Sequence, residues 1–232
     1  MSMLSRFAAT GGGITDPYWS NVSLLLVGNG ANGTTTNIVD SSNNHLATTI
    51  TSPVAISTTQ SKYGSGSVYV PGSGSISIPA NAGFSFGTGD FTFEAWVYLN
   101  STGTQGIIDT RSGPDYSNYI WVFETGPKLS FWLSGTSNKT TNNIPTSQWV
   151  YIATVRASGV IKHYINGVVD NATGFSVSSA INASNSTLYY IGRLFDSSGL
   201  YLNAYIYDLR VTKGVARYTT NFTPPTAPLP IG

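Results

Sequence analysis

The chain has no cysteine among its 232 residues, two histidines and only two glutamates, and charged residues make up 9% of it. Without thiols there is no disulfide framework, thiolate nucleophile or zinc ribbon. His45 and His163 are far apart in sequence and form no closely spaced pair of imidazole ligands. A formal net charge of +1, with Lys and Arg scattered along the chain, offers no electrostatic footprint for nucleic acid. No run approaches the length of a membrane span, and the nearly apolar string from Val22 to Val27 is strand-sized, so no membrane insertion is expected. The first ten residues lack the apolar stretch of a signal peptide, and the chain is expected to be made in a cytoplasm.

What remains is a chain soluble through hydroxyls and amides. Such a surface suits packing against neighbouring proteins or contact with neutral sugars. The length fits one large all-β domain that buries a core without disulfides or metals. Eight Asn-x-Ser/Thr triplets, at Asn21, Asn32, Asn100, Asn138, Asn171, Asn182, Asn185 and Asn221, follow from the abundance of Asn, Ser and Thr.

Residues 1–15 read as an arm. Met1 to Thr10 forms at most one helical turn with Leu4, Phe7 and Ala8 on a common side, and Gly11-Gly12-Gly13 is a swivel. Leu4 and Phe7 would otherwise be exposed apolar groups, so the arm reads as a docking peptide rather than a frayed end.

From residue 16 to 232 the pattern is strands and turns. Phe91 to Leu99 alternates along its length, with Phe91, Phe93, Ala95, Val97 and Leu99 on one face and Thr92, Glu94, Trp96 and Tyr98 on the other. Further strands are expected over Gly106 to Thr110, Tyr119 to Glu124, Lys128 to Leu133, Trp149 to Arg156, Val160 to Asn166 and Thr187 to Ile191. Ser158-Gly159 and Asn166-Gly167 mark tight hairpins. Ser67 to Val70 and Ser75 to Ile78 read as a further hairpin about Pro71-Gly72-Ser73-Gly74. A long closing strand begins at Tyr201, placing Leu202, Ala204, Ile206, Asp208 and Arg210 on one side and Tyr205, Tyr207, Leu209 and Val211 on the other. It breaks at Lys213-Gly214 and ends in a proline-rich strap. Many strands with frequent Gly and Asn turns predict an all-β, two-sheet antiparallel jelly-roll sandwich.

Four stretches resemble a known superfamily: Gly87-Thr-Gly-Asp-Phe-Thr-Phe-Glu-Ala-Trp-Val-Tyr98, Trp149-Val-Tyr-Ile-Ala-Thr-Val-Arg156, His163-Tyr-Ile-Asn-Gly-Val168 and Tyr189-Tyr-Ile-Gly192. Together they look like the laminin-G-like, concanavalin A-like lectin/glucanase superfamily, over roughly Val22 to Pro228. That fold hosts lectins, glycosidases and inert modules alike. Asp16-Pro-Tyr-Trp-Ser-Asn-Val-Ser-Leu-Leu-Leu26, Asp208-Leu-Arg-Val-Thr-Lys-Gly-Val-Ala-Arg-Tyr218 and the arm resemble such domains in tailed-phage virion proteins. The resemblance implies a bacteriophage structural protein located in the virion, as a fibre, appendage or capsid decoration. It also implies partners among other virion proteins, met through the arm, and a homo-oligomer, a trimer where fibres or capsid three-folds are involved. The alternative is a host-surface glycan adhesin.

Glycosidases of this superfamily carry paired acids on one strand. Here Glu94 is followed at the matching positions by Trp96 and Tyr98, and Glu124 lies on another strand, so no hydrolase activity is expected. Asp109 and Asp115 lack paired spacing. Glu94 either lines a sugar groove or pairs with an arginine, Arg156 being the expected partner. Trp121 and Trp132, on adjacent strands, are expected on one sheet face, as a glycan platform, a protein contact or simple packing. Asp208 is the candidate ligand of one structural calcium ion, by resemblance to related folds, with carbonyls near Gly28 or Gly66. Its alternatives are a salt bridge to Arg210 or Arg193, or capping by backbone amides.

Overall fold

The computed structural model describes residues 15–113, 118–195 and 200–232; the arm with Leu4 and Phe7, and Asp115, lie outside them. In chain order the strands are β1 (Val22–Leu26), β2 (Thr49–Thr51), β3 (Ala55–Ser57), β4 (Ser67–Pro71), β5 (Ser75–Pro79), β6 (Phe91–Leu99), β7 (Gln105–Asp109), β8 (Tyr119–Glu124), β9 (Lys128–Leu133), β10 (Thr136–Lys139), β11 (Trp149–Ala157), β12 (Val160–Ile165), β13 (Val168–Val169), β14 (Phe175–Ser176), β15 (Leu188–Ile191) and β16 (Asn203–Lys213). The described residues contain two short 3-10 turns and no α-helix.

The strands form two antiparallel sheets. The first runs β13-β12-β11-β6-β16-β4-β3, with β1 also on β16 and β14 on β12; the second runs β10-β9-β8-β7-β15-β5-β2. This is the expected jelly-roll sandwich. Its core is what the alternation of β6 predicts: Phe91, Phe93, Ala95, Val97 and Leu99 point inward and meet Trp121, Phe123 and Phe131 of the second sheet. Both tight hairpins have two positive-φ residues, Ser158-Gly159 and Asn166-Gly167, as the twist of the flanking strands demands. A third of the same kind, Ser134-Gly135, joins β9 to β10.

Two expectations about strand pairing fail. β4 and β5 are not a hairpin: β4 pairs with β3 and β16 in the first sheet, β5 with β15 and β2 in the second. Pro71 to Gly74 therefore arches between the layers. The strict alternation of the closing strand also breaks. A bulge interrupts the β16–β6 register between Tyr207 and Arg210, and Asp208 adopts φ +53°. The extra residue resets the phase. Leu209 and Val211 join Ala204 and Ile206 in the core, while Arg210 moves to the outer face. The bulge falls where β16 changes neighbour, from β4 (through Ile206) to β1 (from Leu209).

Beyond Gly214 the chain crosses the outer face of the first sheet as a strap. Tyr218 and Phe222 stack at 3.5 Å, and Phe222 packs against Tyr151 and Tyr164. Pro225 accepts a hydrogen bond from the Tyr63 hydroxyl at 2.6 Å.

Candidate functional site

Glu94 is fully buried beneath this strap. Its Oε1 accepts from Arg210 Nε at 2.7 Å, and its Oε2 from the hydroxyls of Tyr218, at 2.6 Å, and Tyr151. Asp16 completes the cluster, accepting from Arg210 Nη1 at 2.9 Å and Arg217 Nη2 at 2.7 Å. Burial alone would push the Glu94 carboxyl up; Arg210 and Arg217 reverse this and hold it below the usual carboxylate range. Both carboxylate oxygens are engaged and the side chain is fully buried, so Glu94 presents no surface to a saccharide. Its arginine partners are Arg210 and Arg217, not Arg156. Arg156 follows inward-facing Ile152 and Thr154 on β11, on the opposite face of the sheet from Glu94. Its guanidinium instead donates to the carbonyls of Gly87, Gly89, Val177 and Ser179.

The two tryptophans fall on opposite faces of the second sheet. Across β8 and β9, Trp121 pairs with Phe131 and Ile120 with Trp132. Trp121 is fully buried in the core, where its Nε1 donates to Thr154 Oγ1 of the facing sheet at 2.8 Å. Thr154 donates onward to His163 Nδ1, and His163 Nε2 donates to the Asn138 carbonyl. That carbonyl only accepts, so it fixes the tautomer. Trp121 is thus a bolt between the layers with no exposed surface. Burial pulls the His163 pKa down to about 4, against the opposing pull of the Asn138 carbonyl.

Asp208 is buried at the bulge. Its Oδ2 accepts from the Leu229 amide at 2.7 Å, pinning the end of the strap, while Oδ1 has no partner. Neither expected arginine pairs with it: Arg210 serves Glu94 and Asp16, and Arg193 lies over the Tyr190 ring at 4.3 Å. Burial pushes its carboxyl up to about 7, partly offset by the Leu229 amide and Arg210. A calcium ion takes six to eight oxygen ligands. Asp208 has one uncommitted oxygen, and no group of three His, Asp or Glu side chains among the described residues could hold a metal. A calcium ion at that carboxylate oxygen would thus rest on backbone carbonyls for its other ligands.

Trp132 marks the open face. A groove of about 230 Å³ on the outer side of the second sheet is lined by Ile120, Val122, Glu124, Trp132, Lys139 and Leu194. Alternation along β8 and β9 sends Ile120, Val122, Glu124 and Trp132 outward, and β10 adds Lys139 beside them. The wall carrying Leu194 leans onto Gly106. A Cβ there would lie 2.5 Å from the Arg193 carbonyl carbon, so a side chain at this position would push the wall away. Asp109 holds the wall from within by accepting the Phe195 amide at 2.7 Å.

Glu124 organises the polar end of the groove. It accepts from Trp132 Nε1 and Ser137 Oγ on one oxygen and from Lys139 Nζ, at 2.8 Å, on the other. Partial burial would raise its pKa, but Lys139, Ser137, Ser130 and Trp132 bring it below the usual range. An ionised acceptor, an ammonium donor, an indole and an aliphatic floor are thereby fixed together. Such a surface offers hydrogen bonds to hydroxyls and an apolar bed for a sugar's C–H face. Sequence reasoning chose Trp132 but passed over Glu124 and Lys139 as its partners. The missed signal was the turn Ser134-Gly135, which folds Lys139 back beside β9.

A family model described as the concanavalin A-like lectin/glucanases superfamily matches residues 70–217. The chain belongs to this superfamily. Among solved structures, this lectin/glucanase-type chain is similar to domain 4 of the arabinanase AbnA from Geobacillus stearothermophilus, solved in complex with arabinotriose. The two share 19% identity over 84% of this chain and 94% of that one, with a TM-score of 0.63. It is also similar to the binding domain of Paraclostridial Mosquitocidal Protein 1 (15% identity, 87% of this chain, 51% of that one, TM-score 0.64). A structure of botulinum neurotoxin type C, whose cell entry depends on two ganglioside molecules, matches at 18% identity over 85% of this chain and 49% of that one, TM-score 0.61. The chain thus spans about half the length of the two toxin chains. No curated protein sequence matches it.

Proposed function

We propose that this chain is a non-catalytic saccharide-binding module, and that the Trp132 groove is its reading surface. The observation that carries the proposal is the open groove itself, in which Glu124, Lys139 and Trp132 are held in one hydrogen-bonded arrangement over an aliphatic floor. The glutamates count against catalysis. Retaining hydrolysis needs two carboxyl groups about 5 Å apart. Glu94 sits on the first sheet in a saturated ion cluster and Glu124 on the second, and Asp109 is committed to Arg111 and the Phe195 amide. Because the Glu124–Lys139 pair leaves no excess charge, neutral sugars are the expected ligands. Arabino-, gluco- and galacto-oligosaccharides are the first probes, arabinotriose among them because a relative of the same fold was solved with it.

The setting proposed for the module is the virion, as a fibre, appendage or capsid decoration. This rests on the resemblance of Asp16 to Leu26 and Asp208 to Tyr218 to tailed-phage virion proteins. On this reading residues 1–15 dock the sandwich of 16–232 to another virion protein, as a homo-oligomer, and the groove faces host-surface glycans. The test is a glycan array with the whole chain and with Trp132→Ala. Binding of a neutral oligosaccharide that disappears in the variant supports the reading. Binding that survives the variant places recognition elsewhere than the Trp132 groove, and no binding to any neutral glycan leaves display without recognition.

A further inference from the structure

A second groove, of about 240 Å³, lies on the outer face of the other sheet, at the corner the strap leaves open. Adjacent strands β11 and β12 supply its floor. Val155, Ala157, Val160, Lys162 and Tyr164 all project outward there, because Ile152 and Thr154 on one strand and Ile161 and His163 on the other point into the sandwich. Tyr218 and Thr219 of the strap form one wall. Tyr218 is immobilised by its hydrogen bond to Glu94 and its stack on Phe222. The Tyr164 hydroxyl donates to the Tyr218 carbonyl at 3.3 Å, closing one end.

Lys162 distinguishes this groove from the first. Its stem runs along Gly174, where a Cβ would come within 2.9 Å of Lys162 Cγ and 2.7 Å of Val160 Cγ1. Gly174 has φ +70° and is held by the Asn171 carbonyl, so the loop carrying Thr173 leaves the lysine a defined channel. Lys139 in the first groove is neutralised by Glu124. Lys162 makes no ion pair among the described residues; Asp90 accepts from the Ser158 amide, and Asp170 from the Thr141 and Asn142 amides. An aliphatic and tyrosine bed, two threonine hydroxyls and one uncompensated ammonium suit a ring with an apolar face, hydroxyls and a single negative group.

We propose that this groove is a second saccharide site, selective for sugars that carry a carboxylate, such as hexuronates or, by the same chemistry, sialates. It does not depend on the Trp132 reading, and the two grooves open on opposite faces of the sandwich. One chain would therefore hold a neutral and an acidic saccharide at once. Titration calorimetry of the whole chain provides the test, using a glucuronate-containing disaccharide, its carboxyl-reduced counterpart, sialyllactose and sodium acetate as probes. At least one acidic saccharide should bind, the reduced sugar about tenfold or more weakly, since a charge-assisted hydrogen bond is lost. Which acid binds separates uronate from sialate. Lys162→Gln, which keeps the stem, should weaken the acidic sugar by a similar factor, and Trp132→Ala should leave it unchanged. Amide shifts at Thr173 and Thr219 on titration give an independent readout in the unmodified protein. The proposal is overturned if neither acid binds, if Lys162→Gln binds as tightly as the parent, if acetate competes at equal concentration, or if Trp132→Ala abolishes acid binding.

Discussion

The outer faces of the two sheets carry similar side chains and behave differently. Each has a glutamate near a tryptophan and one or two cations: Glu94, Trp96, Arg210 and Arg217 on the first sheet, Glu124, Trp132 and Lys139 on the second. On the first, the strap brings Tyr218 and Phe222 down over the carboxylate, and two guanidinium groups with Asp16 make a closed network. On the second no described residue covers the sheet between Trp132 and Leu194, and the same chemistry is left at a groove. Residue type sets what a face can do. What lies over it decides whether it does so.

The sharpest way to break this contrast is to damage the sealed face. Removing one partner of a buried ion pair strands the other, a loss of about 3–5 kcal/mol. Glu94→Ala should therefore lower unfolding stability by that order in a denaturant titration. Glu124→Ala should cost less than about 1 kcal/mol, because its partner Lys139 is 47% exposed. Equal losses would erase the distinction between the faces.

The two tryptophans of β8 and β9 sharpen it next. Trp121→Phe leaves a cavity and removes the donor to Thr154, so it should cost about 2–3 kcal/mol with saccharide binding retained. Trp132→Ala should do the reverse, with little change in melting temperature and binding weakened about tenfold or more. Paired melts and titrations of the two variants check this.

The smallest effect is in the pH dependence. The folded pKa of His163 is lowered to about 4, so the native state binds fewer protons than the unfolded chain, and this contribution is lost as pH falls from about 6.5 to 4. That of Asp208 is raised to about 7, so its contribution is full below the unfolded pKa near 4 and lost as pH rises through 7. The two oppose each other, and their joint contribution should be nearly flat between pH 4 and 7. Asp208→Asn removes one of them: the variant should gain stability with rising pH up to 6.5 and exceed the parent above pH 7. A melt series across that range with unchanged parallel profiles would contradict the burial of both groups.

Much of the fold was legible because the strands alternate and the turns are chemically explicit. Phe91 to Leu99 and Trp149 to Arg156 read directly, as did Ser158-Gly159 and Asn166-Gly167. The errors share a physical origin in tertiary events that leave no local mark. The bulge at Asp208 arises where β16 exchanges one neighbour for another, and alternation has no term for that. The arch at Pro71 to Gly74 has the composition of a hairpin, and only sheet membership distinguishes them. The tryptophan error was avoidable. The three-residue loop after Glu124 pairs odd with odd positions, which places Trp121 and Trp132 on opposite faces. That Glu94 lies under a lid was not legible, since the strap is remote in sequence and its path is set by ring stacking and the Arg217–Asp16 contact.

The most direct test uses the indole N–H signals of the five tryptophans in a nitrogen-15 spectrum, followed while a neutral oligosaccharide that binds is titrated in. The Trp132 signal should move, while those of Trp96, under the first-sheet strap, and Trp121, in the core, should stay in place. A stationary Trp132 with a shifting Trp96 would contradict that expectation.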